Sequence, residues 1–155
     1  MHAELQNSSI IFKPINPGVP EFLVGDSIRF KQILINLVKN ALQYSHNNQI
    51  ILKAGFHYQA NRLDVKICGK GRGIQQDERA NLFRSYHPND NIVSNGMVFC
   101  KKVTEKLGGK LEIKSKGADK GTTFSFSLNM TLPEGIVLNT VEPASVLLME
   151  IPEET

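Results

Sequence analysis

Residues 25–45 read GDSIRFKQILINLVKNALQYS, and this stretch decides the fold of the chain. Its apolar residues recur at helical spacing, which predicts an amphipathic helix that lasts to about Tyr44. These apolar positions are Phe30, Ile33, Leu34, Leu37 and Ala41. Asp26 or Ser27 can cap the helix, because a short polar side chain accepts hydrogen bonds from the first unpaired backbone N–H groups.

A row of amide side chains lies along the same predicted helix. Gln32, Asn36, Asn40 and Gln43 are four, four and three residues apart, so they share one face. Asparagine is a mediocre helix former, and a solvated face is normally rich in Lys and Glu. The amide row therefore favours a binding role, with a plain solvated face as the alternative.

The sequence ICGKGRGI, residues 67–74, places glycine at three alternate positions, Gly69, Gly71 and Gly73. Glycine lets the backbone approach a ligand closely, because it has no Cβ atom. The same pattern also fits a flexible turn.

The rest of the chain alternates strand and helix patterns. Strands are predicted at QIILKAGF, RLDVKIC, KLEIKS and TTFSFSLNM, a short helix at QQDERANLF, and a second long helix from about Gly96 to the Gly108-Gly109 stop. Two short strands, at residues 10–12 and 22–24, precede the first helix. This order predicts an α+β fold of two layers: a mixed, mostly antiparallel sheet with helices on one face.

Composition divides the chain into three parts and excludes several classes of protein. Residues 1–25 are expected to form an extended N-terminal segment, residues 26–132 the domain, and residues 133–155 an acidic linker or docking tail, with five Glu and no Lys or Arg from residue 134 onward.

The net charge of +3 comes without a basic block, which argues against nucleic acid as a partner. No apolar run is long enough to cross a membrane, so no direct membrane contact and a cytoplasmic location are expected.

Two cysteines, Cys68 and Cys100, are too few for a disulfide framework or a zinc cluster. We expect both to be reduced. Strand alternation turns Cys68 away from the face of its neighbour Gly69, and a small buried residue is the favoured interpretation of Cys68.

The helix at residues 26–41 resembles the N box of sensor histidine kinases, D-x-x-R-x-x-Q-I-L-x-N-L-x-x-N-A, most closely that of hybrid-type kinases. LGGKLEIKSKGADKGTTFSFSL resembles the end of the same ATP-binding domain. The resemblance implies the Bergerat-type nucleotide-binding sandwich that is shared with DNA gyrase, MutL and a heat-shock chaperone.

This resemblance also implies roles for single residues. Asn40 matches the position that coordinates Mg²⁺, an ion that prefers oxygen ligands. Asn36 takes the catalytic position where related ATPases carry a water-activating Glu, so an ATPase is disfavoured. The positions that match nucleotide contacts are Asn36, Asn40, Gln43, Tyr44, Gly69, Gly71, Gly73, Gly96 and Thr122. ATP and Mg²⁺ are the implied cofactors.

Four motifs depart from the family pattern on the nucleotide side. Gly69 stands where the family has the Asp that accepts a hydrogen bond from adenine, and glycine has no side chain to do so. Ile92 and Ser94 replace two phosphate-loop glycines, FRSY replaces F-x-P-F, and Gln43 replaces a frequent Lys. The pattern predicts a degenerate domain that binds ATP weakly or not at all and acts by regulation or docking.

The alternative is a competent catalytic domain that phosphorylates a histidine on a separate dimerisation hairpin. Lys70 and Arg72 would then add positive charge beside the phosphates. The hairpin signature is absent from this sequence, and His2, His46, His57 and His87 do not match a phosphoacceptor. That hairpin, and a receiver domain of the same parent protein, are the expected partners, and the fragment alone is expected to be monomeric.

Overall fold

A computed structural model describes residues 9–15, 18–46, 49–83, 96–115 and 120–135. Within these ranges the elements follow one another in the order predicted from the sequence, and a 3₁₀ turn, Tyr58–Ala60, joins the second and third strands. The elements are β1 (Ser9–Pro14), α1 (Ser27–Gln43), β2 (Gln49–His57), β3 (Arg62–Gly69), α2 (Gln76–Leu82), α3 (Met97–Lys106), β4 (Lys110–Ser115) and β5 (Thr122–Asn129).

The strands form one sheet in the order β1-β2-β3-β5-β4. β1 runs parallel to β2, and every other neighbouring pair is antiparallel. α1 and α3 pack against each other and against the same sheet. The predicted α+β class, with a mixed and mostly antiparallel sheet, is confirmed.

The core lies between the sheet and α1. On β3 and β5 every second side chain is buried, as a sheet with one covered face requires. These buried strand residues are Leu63, Val65, Ile67, Phe124, Phe126 and Leu128. α1 supplies the opposing surface, chiefly through Ile33, Leu37 and Ala41.

Both ends of the helical layer are fixed by local hydrogen bonds. Asp26 caps α1, because its carboxylate accepts a hydrogen bond of 3.0 Å from the Arg29 N–H. At the end of α3, Gly108 has a φ of +75°. The N–H of Gly109 donates to the Thr104 carbonyl, so the predicted glycine stop is a Schellman motif.

The expectation of a second strand at residues 22–24 is wrong. Only Val24 pairs, through two backbone hydrogen bonds with Thr131 of 2.8 and 3.1 Å. Phe22 and Val24 are 62% and 53% exposed. The chain reaches the cap of α1 two residues after Val24, which leaves no length for a longer ladder.

Several expectations fall outside the described residues: the lid and phosphate loop at residues 84–95, the acidic tail at residues 136–155, and the histidines His2 and His87. In the part of the chain that the structure describes, no helix is long and apolar enough to cross a membrane.

The cap of α1 gives a test of the fold. Asp26→Ala should lower the free energy of unfolding by about 1 kcal/mol, because the first turn loses its side-chain acceptor. Urea denaturation measures the change. Asp26→Asn is the matched control, since it keeps an acceptor oxygen and removes the charge. An equal loss in both variants would contradict the capping role.

Candidate functional site

Two members of the amide row of α1, Asn36 and Asn40, are at least half-buried. Asn40 is 4% exposed, and its Nδ2 donates a hydrogen bond of 2.8 Å to the backbone carbonyl of Asn36. That bond occupies the amide nitrogen, so the oxygen is the atom of Asn40 that could ligate a cation. Asn36 is half-buried one turn earlier.

The side chain of Asn36 contacts the start of α3. A Cβ atom added at Gly96 would lie 2.9 Å from Asn36 Oδ1, and Gly96 has a φ of +72°. Burial raises the pKa of the Cys100 thiol to about 11, while a hydrogen bond with Asn36 opposes this rise. Asn36 therefore joins the two long helices beside the place where the predicted phosphate loop ends.

The outer members of the amide row are not part of this buried pair. Gln32 is exposed and accepts a hydrogen bond of 2.9 Å from Arg29. Gln43 is exposed in the last turn of α1. Tyr44, the C-cap of that helix, is only 8% exposed and belongs to the core.

The glycine loop at residues 69–73 is tied to α1 and to β5. The His46 N–H donates to the Lys70 carbonyl at 3.1 Å, and the Gly121 N–H donates to the Gly71 carbonyl at the same distance. Just beyond the loop, the Ile74 N–H donates to Ser115 Oγ. The loop is therefore a fixed part of the fold.

Gly71 is required by packing within the protein. A Cβ atom at Gly71 would lie 1.9 Å from the Tyr44 carbonyl oxygen, which is closer than any real contact. Gly121 is in a similar position, since its Cβ atom would lie 2.4 Å from the Gly69 carbonyl oxygen. Gly121 is not among the site residues predicted from the sequence, although it directly precedes the TTFSF strand.

Arg72 is held in place by a carboxylate and an aromatic ring. It makes two hydrogen bonds of 2.9 Å with Glu78, and its guanidinium lies 4.8 Å from the centroid of the Tyr44 ring. The hydrogen bond with Arg72 lowers the pKa of Glu78, and burial raises the pKa of Tyr44. Arg72 therefore closes the loop over the end of α1.

Lys70 and Cys68 lie on the other side of the sheet, where both line a cavity. Gly69 and Thr122 line the same cavity, and the expectation that Lys70 lies beside the phosphate region stays a prediction. Cys68 is half-buried at that cavity, so the expectation of a buried packing residue is wrong. Alternation along β3 explains its orientation, which was predicted correctly.

Gly69 and Thr122 face each other across β3 and β5. Thr122 is 4% exposed, and its hydroxyl has no hydrogen-bond partner among the described residues. A Cβ atom at Gly69 would lie 3.3 Å from the Ala41 carbonyl oxygen and 3.8 Å from the Ser45 Cβ atom. A side chain is thus nearly accommodated at Gly69, between β3 and the end of α1.

These positions fit a Mg²⁺-nucleotide only in part. Asn36 and Asn40 supply amide oxygens of the kind that Mg²⁺ accepts. Thr122 supplies a buried hydroxyl that lacks a partner within the described chain. Opposite that hydroxyl, Gly69 supplies no acceptor for a base. No group of three or more possible metal-ligating His, Cys, Asp or Glu residues occurs in the described ranges.

The sequence model for histidine kinase-, DNA gyrase B- and HSP90-like ATPases matches residues 25–132. The chain belongs to this family. It is 28% identical over 134 residues to the signal transduction histidine-protein kinase BarA of Escherichia coli, a match that covers 80% of this chain and 14% of BarA. It is 29% identical over 150 residues to the hybrid signal transduction histidine kinase F of Dictyostelium discoideum, covering 86% of this chain and 13% of that protein. The chain thus spans less than one fifth of either relative.

Solved structures of histidine kinases have the same fold. The catalytic domain of histidine kinase ThkA, in a nucleotide-free form, superposes with a TM-score of 0.65 at 24% identity and covers 84% of each chain. Full-length ShkA in complex with AMPPNP gives a TM-score of 0.67 at 21% identity over 85% of this chain and 27% of ShkA. The resemblance to hybrid-type sensor histidine kinases is confirmed at the level of family and fold.

The two glycines of one loop give a matched pair of substitutions. Gly71→Ala should lower the free energy of unfolding by about 3 kcal/mol, because its Cβ atom would meet the backbone of Tyr44. Gly69→Ala should change it by less than about 1 kcal/mol, since its Cβ atom would lie 3.3 Å from the Ala41 carbonyl oxygen and a small shift relieves this contact. Urea denaturation of both variants measures the difference. A Gly71→Ala protein as stable as the wild type would contradict the packing role.

Proposed function

We propose that this chain is the ATP-binding domain of a hybrid-type histidine kinase that has lost recognition of the base, so that nucleotide binds weakly or not at all. The domain then has a regulatory or docking role in a two-component signalling protein. Family membership and fold support the general role. The geometry at Gly69 supports the loss of base recognition.

The observation that carries the proposal is the pairing of Gly69 with Thr122. The two residues are direct partners between β3 and β5, and the Thr122 hydroxyl is buried without a partner in the described chain. A hydrogen bond to a charged acceptor contributes about 1.5–3 kcal/mol. Without a carboxylate here, binding is weaker by about ten- to a hundredfold, since about 1.4 kcal/mol corresponds to tenfold.

The glycines of the loop do not argue for nucleotide binding. Gly71 is explained by its contact with the Tyr44 carbonyl. Arg72, the loop cation on the helix side, already pairs with Glu78. A competent domain would use positive charge beside the phosphates. The ion pair with Glu78 reduces the charge that Arg72 could supply there.

A competent kinase domain is the second candidate, and the buried Asn40 favours it. Its amide nitrogen is bonded to α1, so the oxygen is the atom that would ligate Mg²⁺. In this case the phosphoryl group would pass to a histidine on a separate helical hairpin. His57, one of two described histidines, is hydrogen-bonded to Asp64 at the end of β2. In either case the expected partners are that hairpin and a receiver domain of the parent protein.

Isothermal titration calorimetry with Mg-ATP, Mg-GTP and Mg-AMPPNP separates the two candidates. Gly69→Asp should tighten ATP binding by about ten- to a hundredfold relative to the wild type. It should also create a preference for ATP over GTP that the wild type lacks. Gly69→Ala is the matched control, because it adds the Cβ atom without the carboxylate, and it should bind as the wild type does.

Micromolar binding of ATP by the wild type, with a clear preference over GTP and loss in Asn40→Ala, would establish the competent domain instead. Circular dichroism of Asn40→Ala must show a folded protein for this comparison, because the substitution also removes a hydrogen bond within α1.

A further inference from the structure

The sheet face that turns away from the helices carries a ladder of lysines. Lys13 of β1 lies directly opposite Lys53 of β2, and Lys53 lies directly opposite Lys66 of β3. Like charges at directly opposite positions destabilise a sheet. An anion bound across this ladder would relieve the repulsion.

A groove lies on the same face, at the end of the sheet near the glycine loop. Its volume is about 410 Å³. Among the described residues, its charged lining consists of lysines only, which we name the groove lysines: Lys66, Lys70, Lys114 and Lys120. Cys68 and Thr123, which are direct partners between β3 and β5, form part of its floor. No carboxylate of the described residues lines the groove.

The two acidic side chains that the described strands place on this face are already paired. Asp64 binds Arg62 at 3.0 Å and His57 at 2.7 Å, at the opposite end of β3 from the groove. Glu112 pairs with Lys110 on β4. The hydrogen bond with Lys110 is the main cause that lowers the pKa of Glu112, and Lys114 adds a smaller effect. Among ion pairs between described residues, none contains a groove lysine.

The chain itself contains an anion of suitable charge. Residues 136–155 include four Glu and no Lys or Arg. We propose that this acidic segment docks in the groove and contacts the groove lysines. Opposite charge gives the attraction, and because all four groove lysines are exposed, this attraction is sensitive to salt.

The acidic segment is long enough to reach the groove. β5 runs from Thr122 beside the groove to Asn129, a distance of about 23 Å at ~3.3 Å per residue. The 20 residues that follow Gly135 span up to about 66 Å when extended. The segment can therefore pass around the end of the sheet and return along its outer face.

Attachment to the same chain favours this occupant over a separate acidic protein. Attachment through a short linker gives an effective concentration on the order of 1 mM. A weak electrostatic site is then filled without any partner in solution. The groove lysines and the amide row lie on opposite faces of the sheet, and the groove also reaches Gly69 and Thr122 at its end.

Cys68 provides a natural reporter of groove occupancy in the full chain. It is half-buried in the groove, whereas Cys100 is fully buried with its pKa raised to about 11 and serves as an unreactive reference. The experiment measures the rate at which iodoacetamide, an uncharged reagent, alkylates Cys68 at low ionic strength. A rate–pH profile of each variant gives its thiolate fraction, and rates are compared per thiolate.

We expect alkylation to be slow in the wild type and about tenfold faster when Glu142, Glu150, Glu153 and Glu154 are all replaced by Gln. NaCl at about 0.5 M should produce the same increase by screening. Glu21→Gln combined with Glu105→Gln is the control, because both carboxylates are exposed elsewhere. The control should react like the wild type.

Lys66→Gln combined with Lys114→Gln should also increase the rate, whereas Lys31→Gln combined with Lys39→Gln, two exposed lysines on α1, should not. The wild-type rate should not depend on protein concentration. Amide NMR shifts of Lys66, Cys68, Lys114 and Thr123 in the full chain should move with the tail substitutions.

Three results would overturn the proposal. The first is an equal rate and equal amide shifts in the wild type and the tail variant at low salt. The second is an increase with the lysine variants but not with the tail variant, which would assign the groove to another anion. The third is protection that grows with protein concentration, which would assign it to a second copy of the chain.

Discussion

The contact between the glycine loop and the last turn of α1 is the constraint on which the rest of this structure depends. The backbone of Gly71 lies so close to the Tyr44 carbonyl that no side chain fits between them. Hydrogen bonds from His46 to Lys70 and from Gly121 to Gly71 complete the junction of α1, β3 and β5. This junction fixes Gly69 opposite Thr122 and sets both beside the end of the helix that carries the amide row.

The same constraint gives a structural reason for the glycine-rich motif of this protein. Gly71 and Gly121 have packing roles that exist whether or not a nucleotide binds. A chain can therefore keep the loop and still lose its ligand. The proposed loss of base recognition rests on Gly69 instead, which lies in the same loop and is less restricted by packing than Gly71.

The sheet separates two surfaces by strand alternation. Gly69 is directed toward α1, whereas its neighbour Cys68 lies in the groove on the opposite face. One surface carries the family's nucleotide positions, and the other carries the lysine ladder and the groove lysines. The glycine loop borders both, since Lys70 lines the groove while Arg72 stacks on Tyr44.

The sequence by itself determined the fold class, a cap at Asp26 or Ser27, the buried face of α1 and the alternation of β3 and β5, because each depends on local spacing or on a local hydrogen bond. It also determined that glycine, at position 69, replaces the Asp of the family pattern. Tertiary structure decided the packing role of Gly71, the engagement of Arg72 with Glu78 and the gathering of the groove lysines from separate strands and loops. These features join residues that are distant or differently oriented along the chain, and only the sheet register and the loop junction bring them together.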